Sequence, residues 1–323
     1  MGFLDNRINL TVDWYKRDNF DLIGRVMTQG IGGQIQKYGN VATMKSRGIE
    51  FSLSTKNIKT KDFSWTTDFI YSHMKNEVTK FNTSTRAFNL VSGIGFSREG
   101  YPVNSLFSYD FRGLNEDGVP TFINEAGVLT STDINFQETE RFDNLVYSGP
   151  SEPTDVGSFG NIFQYKGLRL NVFITYSFGN VVRLDPVFSS IYNDLDAMPR
   201  EFRNRWMTPG DERYTDVPAI VSSRQVRNDS KLSYAYNAYN YSTARIAKGD
   251  FIRMKEISLT YDFPKRWIKK LRMSNLALKI QATNLFLIYA DKKLNGQDPE
   301  FFNSGGVATP VPKQFTLTLK IGL

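Results

Sequence analysis

Residues 314–323 read QFTLTLKIGL. Phe315, Leu317, Leu319, Ile321 and Leu323 fall on one side of an extended chain, and Thr316, Thr318, Lys320 and Gly322 on the other. Side chains alternate across a strand with period two, so this segment is a strand with one wholly apolar face. That face meets either a packed core or lipid, and the pattern upstream bears on which.

The same alternation recurs along the 323 residues. Ile8, Leu10, Val12 and Trp14 share a side in RINLTVDWY, as do Ile49, Phe51 and Leu53 in GIEFSLST. Phe63, Trp65, Phe69 and Tyr71 do so in FSWTTDFIYS, where Ile70 is an exception on the polar side. Leu168, Leu170, Val172, Ile174, Tyr176 and Phe178 line up in LRLNVFITYSF, and Ile257, Leu259, Tyr261 and Phe263 in EISLTYDF. Leu276, Leu278, Ile280 and Ala282 line up in NLALKIQAT. GSFGNIFQYK (157–166) is a weaker case, with Phe159, Phe163 and Tyr165 on one side, and brings the expected strands to eight. No amphipathic helix of comparable quality is predicted. Glu50, Asp68, Arg169, Glu256, Lys279 and Lys320 all lie opposite the apolar side, as both a lipid face and a sandwich core require.

The connections alternate in length. Residues 19–46, 75–156, 179–249 and 286–313 are long; 56–62, 166–167 and 264–273 are short. An up-and-down sheet with all long loops at one end produces this pattern, which is the signature of outer-membrane barrels. NSLFSYDFRG (104–113) also reads as a strand, but a ninth spanning strand would reverse the parity, so it is placed inside an outer loop. Trp14, Tyr71, Tyr176 and Phe178 sit at the long-loop ends of their strands. Phe63, Trp65, Tyr261 and Phe263 sit at the short-turn ends, with Trp267 in the following turn, and the two sets resemble interfacial girdles. The expected fold is all-β: an antiparallel up-and-down transmembrane β-barrel segment with long extracellular loops.

Composition narrows the function classes. Apolar residues make up 40% and aromatics 14%, and no apolar run is long enough to span a bilayer as a helix. The absence of cysteine excludes disulfides and thiolate chemistry. The net charge of +7 is spread over the loops except in PKRWIKKLR (264–272), a basic cluster in a short turn, so nucleic acid is not an expected partner. His73 is the only histidine and no G-x-S-x-G is present, so neither a catalytic triad nor a transition-metal site is expected. NEDG (115–118) lacks the ligands of a calcium loop, and GIGG (30–33) lacks the third glycine of a dinucleotide fingerprint. No catalytic residue, metal or cofactor is expected, and no signal peptide is visible.

Several stretches resemble one family in order along the whole chain. The stretch 249–288, GDFIRMKEISLTYDFPKRWIKKLRMSNLALKIQATNLFLI, is similar to the penultimate region of SusC/RagA-type TonB-linked outer-membrane proteins. Residues 39–78 resemble their N-x-G-I-E strand pair and 157–180 their Gly-Phe-Gly-Asn hairpin; 98–118 and 204–212 also fit. Phe315, Leu317, Leu319, Ile321 and Leu323 resemble the C-terminal signal strand read by the barrel assembly machinery, with Leu323 where Phe is usual. The resemblance implies a plugged barrel of about 22 strands. On that reading residues 1–323 are its C-terminal portion, and the plug, TonB box and signal peptide lie outside the sequence. It implies outer-membrane lipid, the remaining strands and plug, a SusD-like lipoprotein and TonB as partners, and import of oligosaccharides or peptides.

Substrate is expected at the long loops and lumen. KLSYAYNAYNYSTAR (231–245) offers Tyr234, Tyr236, Asn237, Tyr239, Asn240 and Tyr241, whose rings and amides suit sugar stacking and hydroxyl hydrogen bonds; Trp206 is a further candidate. The alternatives are a self-contained eight-stranded barrel serving as an adhesin or structural protein, and a soluble glycan-binding β-sandwich. As an open segment of a larger barrel the chain is expected to aggregate without its other strands.

Overall fold

The computed structural model describes residues 2–28, 30, 33, 35–95, 98–186, 200–270, 273–302 and 310–322. Eight long strands run in sequence order: β1 (Ile8–Met27), β2 (Gln36–Lys59), β3 (Phe63–Phe81), β4 (Asp155–Tyr165), β5 (Leu168–Phe178), β6 (Phe251–Asp262), β7 (Asn275–Ala290) and β8 (Gln314–Gly322). Each pairs antiparallel with the next, and a two-residue stub, Gly2–Phe3, caps the outer edge of β1. The sheet is a single layer. Among the described residues no second sheet packs on its apolar face, so the sandwich is not realised. β1 and β8 do not pair with each other, so neither is a closed eight-stranded barrel.

Register carries the apolar positions across the sheet without a break. Leu10, Leu53, Phe69, Phe159, Ile174, Met254 and Phe286 form one row, each paired with the next. Trp65, Phe163, Leu170, Leu259, Ile280 and Leu317 form another. These side chains stay open to the surroundings: Val12 is 52% exposed, Leu317 70% and Phe315 76%. A sheet this apolar and this uncovered suits lipid rather than water. The opposite face is polar, with Glu256 accepting from Asn171 Nδ2 at 3.2 Å and lying 3.9 Å from Lys279 Nζ. A register shift between Met254 and Glu256 keeps the two faces separate where Lys255 is inserted.

A small polar cluster lies mid-wall on the apolar face. Asn161 pairs with Thr67 and Val172, and its Oδ1 accepts from Trp65 Nε1 and Thr67 Oγ1, both at 2.8 Å. Asn57 in turn donates to Thr67 Oγ1 at 2.7 Å. Internal satisfaction makes such a group tolerable in hydrocarbon. Asn161→Leu is expected to destabilise the wall by about 1–3 kcal/mol, because the Trp65 indole N–H loses its acceptor. Midpoint shifts in denaturant, read in a bilayer, measure it.

The first loop differs from expectation. Pairing of β1 with β2 continues to Met27↔Gln36, so most of 19–46 is hairpin and only 28–35 connects. β1 and β2 run 20 and 24 residues, against the roughly 9–11 that cross a bilayer. Beyond Asn19 the register shifts twice, at Asn19/Leu22 and Leu22/Ile23, and Leu22 and Val26 pack with Val41, Ala42 and Val78 in a small core of their own. Each shift resets which side a residue faces, so alternation fades while pairing resumes.

The basic turn also differs: Lys265–Lys270 within it form a short helix (α4), which begins after Pro264 and buries Ile268.

The buried core lies in the loops. The described residues of 82–154 and 179–250 pack together around Leu90, Phe107, Tyr109, Phe122, Phe136 and Tyr239. The segment 104–113 contributes strands Ser105–Tyr109 and Phe111–Leu114 to small sheets of this unit, outside the main wall, as parity required. The loops carry helices α1 (Ala87–Ser92), α2 (Ser223–Asn228) and α3 (Leu232–Asn240), the last within 231–245 in place of an open loop. Ala235, Tyr236, Ala238 and Tyr239 recur at helical spacing and are buried, which drives the helix.

Candidate functional site

The candidate site is the outer-loop unit where it meets the polar face of the wall. Ser177 and Phe251 of the wall, Asn180 and Arg183 from the second loop, Glu152 from the first and Glu300 from the third line a cleft of about 710 Å³. Three separate connections therefore converge over the lumen side.

Arg183 ties the loops together. Its Nη2 donates to the carbonyls of Phe107 at 2.7 Å and Val91 at 3.1 Å, and its guanidinium lies 5.4 Å from the Tyr241 ring centre. Burial lowers its pKa to about 10, still far above neutrality, so it remains a cation held by carbonyl dipoles. Arg245, 3% exposed, pairs with Glu201 inside the second loop. Arg253, on the polar face of β6, pairs with Asp298 Oδ1 at 2.5 Å and Glu300 Oε2 at 3.1 Å, holding the third loop against the wall. None of these arginines was singled out by sequence. Their signal is a cation on the lumen side or in a loop whose partners lie far along the chain, 45 residues away for Arg253 with Asp298 and 92 for Arg183 with Val91.

The aromatic and amide candidates separate into two groups. Tyr236 is buried and donates to the Ala219 carbonyl at 2.8 Å; Tyr239 is buried edge-on to Phe111 at 5.5 Å. Burial pushes the Tyr239 hydroxyl up to about 12. Both rings are taken up by the loop core. Asn237, Asn240 and Tyr241 share a hollow of about 210 Å³ with Arg183 and Asp185. Tyr234 is 49% exposed and stands apart, beside Phe136 at 6.3 Å.

Trp206 covers Gly118, whose φ of +72° and lack of a Cβ admit the indole: a Cβ there would lie 2.5 Å from it. The Trp206 indole donates to Glu212 at 3.1 Å, and Asp211 accepts from the Thr208 and Met207 N–H groups at 3.0 Å. These backbone donors hold the Asp211 carboxyl below its usual pKa. Glu212 is lowered by its own N–H, the Trp206 indole and the Gly210 N–H. A depressed carboxyl pKa gives order that is present above the ordinary value and lost as pH falls through the folded one. Trp206 emission, taken as wild type minus Trp206→Phe, is expected to hold from neutrality down to about pH 4 and to change below it.

Of the aromatics expected to form girdles, Trp14 and Tyr71 lie partway along β1 and β3, which run on to Met27 and Phe81, but register sets them level with Phe178 and Tyr176 at the loop end of β5. Phe63, Trp65, Tyr261, Phe263 and Trp267 lie at the turn end. Tyr176 reaches across Gly157 to donate to the Ile70 carbonyl at 3.1 Å. A Cβ on Gly157 would come 2.4 Å from that hydroxyl. His73 Nδ1 is 2.9 Å from Asp155 Oδ1 on the same side of the wall, away from the clefts. Among the described residues no group of three or more metal-binding side chains converges. Phe315, Leu317, Leu319 and Ile321 form the exposed apolar side of β8, and Leu323 lies outside the described residues.

No family model matches the chain. TonB-dependent receptor P3 of Formosa agariphila is 26% identical over 93% of this chain and 29% of its own length. TonB-dependent receptor SusC of Bacteroides thetaiotaomicron is 26% identical over 100% of this chain and 30% of its own length. The solved RagAB peptide transporter superposes with a TM-score of 0.76 over 100% of this chain and 34% of the transporter chain, at 24% identity. These relatives are receptors and transporters, not enzymes. The chain is homologous to TonB-dependent receptors of the SusC/RagA type, spans about 30% of the length of the curated relatives it matches, and folds as an all-β barrel segment.

Proposed function

We propose that this chain is the C-terminal wall and outer-loop portion of an outer-membrane importer that takes up oligosaccharides or peptides. The carrying observation is the apolar face on one side of a single-layer wall, its mid-wall polar groups bonded to one another, with the long loops gathered over its polar side. Transport is passage through a lumen, with no covalent chemistry. The remaining strands complete the barrel along the free edges of β1 and β8, since an unpaired edge is otherwise an aggregation site. A plug, TonB and a SusD-like surface lipoprotein supply gating, energy and a lid, and the barrel assembly machinery inserts the chain through β8. A peptide substrate is supported by the likeness to a solved peptide transporter, and an oligosaccharide by the ring and amides at Tyr241, Asn237 and Asn240 in one hollow.

Asn237, Asn240 and Tyr241 are the substrate contacts this reading favours, with Tyr234 and Trp206 on the outer rim of the loops. In cells making the intact importer, Asn237→Ala with Tyr241→Ala is expected to lower uptake roughly ten-fold. The amount of protein in the outer membrane stays the same. Unchanged uptake removes these residues from the path; absence of the protein from the outer-membrane fraction removes the reading.

A further inference from the structure

Register places three cations abreast at the outer limit of the apolar face. Lys16 pairs with Arg47 and Arg47 with Lys75. All three are exposed, and among the described residues none forms an ion pair. They lie two residues beyond Trp14, Ile49 and His73, the last apolar-side row, on the same side of the wall. The next row outward is Asp18, Lys45 and Glu77, whose signs alternate and leave one net negative charge. Glu152 lines a hollow with Lys75 without pairing to it.

Like charges directly opposite across strands repel. A row that keeps three of them, beside a row with only one net negative charge to set against them, is complementary to an anion outside the protein. Its height fixes the anion: directly above hydrocarbon-facing side chains is the level of lipid headgroups. We propose that Lys16, Arg47 and Lys75 bind the phosphate of an anionic lipid headgroup in the outer leaflet. Arg47, central in the row, presents a planar fork suited to a phosphate, and the two lysines flank it as point charges. The inference rests on the reading of the apolar face as lipid-facing.

The intact membrane protein, purified in uncharged detergent, is titrated with mixed micelles containing phosphatidylglycerol or phosphatidylcholine, and bound lipid is counted by native mass spectrometry. Wild type is expected to prefer phosphatidylglycerol. Lys16→Gln/Arg47→Gln/Lys75→Gln is expected to lose roughly 100-fold of that affinity. Arg224→Gln/Arg227→Gln/Lys231→Gln removes the same charge from exposed loop positions and is expected to keep it. Millimolar inorganic phosphate is expected not to compete. Equal phosphatidylglycerol binding by the two triple variants overturns the proposal, as does displacement by free phosphate, which marks a plain phosphate site. Wild type that needs detergent yet takes both lipids equally overturns the proposal alone. Wild type that needs no detergent and takes neither lipid overturns the lipid-facing reading beneath it.

Discussion

The intact protein carrying Ile174→Arg is expected to lose about 2–4 kcal/mol of folding stability in a bilayer. Asn171→Arg, three residues away on the same strand, is expected to change it by about 1 kcal/mol or less. Ile174 sits mid-wall between Phe159 and Met254 on the apolar face. An arginine there must hold its guanidinium in hydrocarbon or bend the strand to bring it out. Asn171 points to the polar side, where its amide meets Glu256, so an arginine in its place finds a carboxylate already present. Chemical denaturation in vesicles of the two variants measures the difference. Equal effects would mean that the faces have been assigned the wrong solvents.

The second large effect concerns Arg253. It is 5% exposed and meets Asp298 and Glu300, two acids of the third loop. Removing one partner of a buried pair leaves the other charged and desolvated, at a cost of about 3–5 kcal/mol. Arg253→Met is therefore expected to release residues 291–302 from the wall, seen as faster proteolytic cleavage there in the intact protein. Arg253→Met with Asp298→Leu is expected to recover part of the loss. Recovery stays partial because Asp298 also accepts from the Glu300 N–H at 3.1 Å. Unchanged cleavage in Arg253→Met would show that other contacts dock the loop, such as Asp291 accepting from the Lys248 N–H at 2.8 Å.

The wall was legible because one force shaped it. Where a strand has lipid on one side and a lumen on the other, every second residue is constrained. Leu168 to Phe178 and Phe315 to Ile321 therefore announce strand and face together. Where the ladder bulges, the signal ends: between Asn19 and Ile23 the register shifts twice, so Asn19 to Met27 stay paired while no one apolar side marks them. The loops were misread for a different reason. Tyr236 and Tyr239 look like ligand-binding residues by type, but with Ala235 and Ala238 they form the buried stripe of α3. A tyrosine's ring is as good a core group as a stacking platform, and only spacing separates the two uses. Arg183, Arg245 and Arg253 were invisible for want of local pattern, since their partners lie far along the chain.

The absence of cysteine allows the most direct test. Single cysteines placed at each position from 168 to 178 in the intact protein, spin-labelled in liposomes, report access to oxygen dissolved in lipid and to a water-soluble nickel complex. The account predicts that both signals alternate with period two and out of phase. Oxygen access peaks at 170, 172 and 174, and nickel access at 169, 171 and 173. Nickel access at 170, 172 and 174, or no alternation, would contradict a wall with lipid on its apolar face.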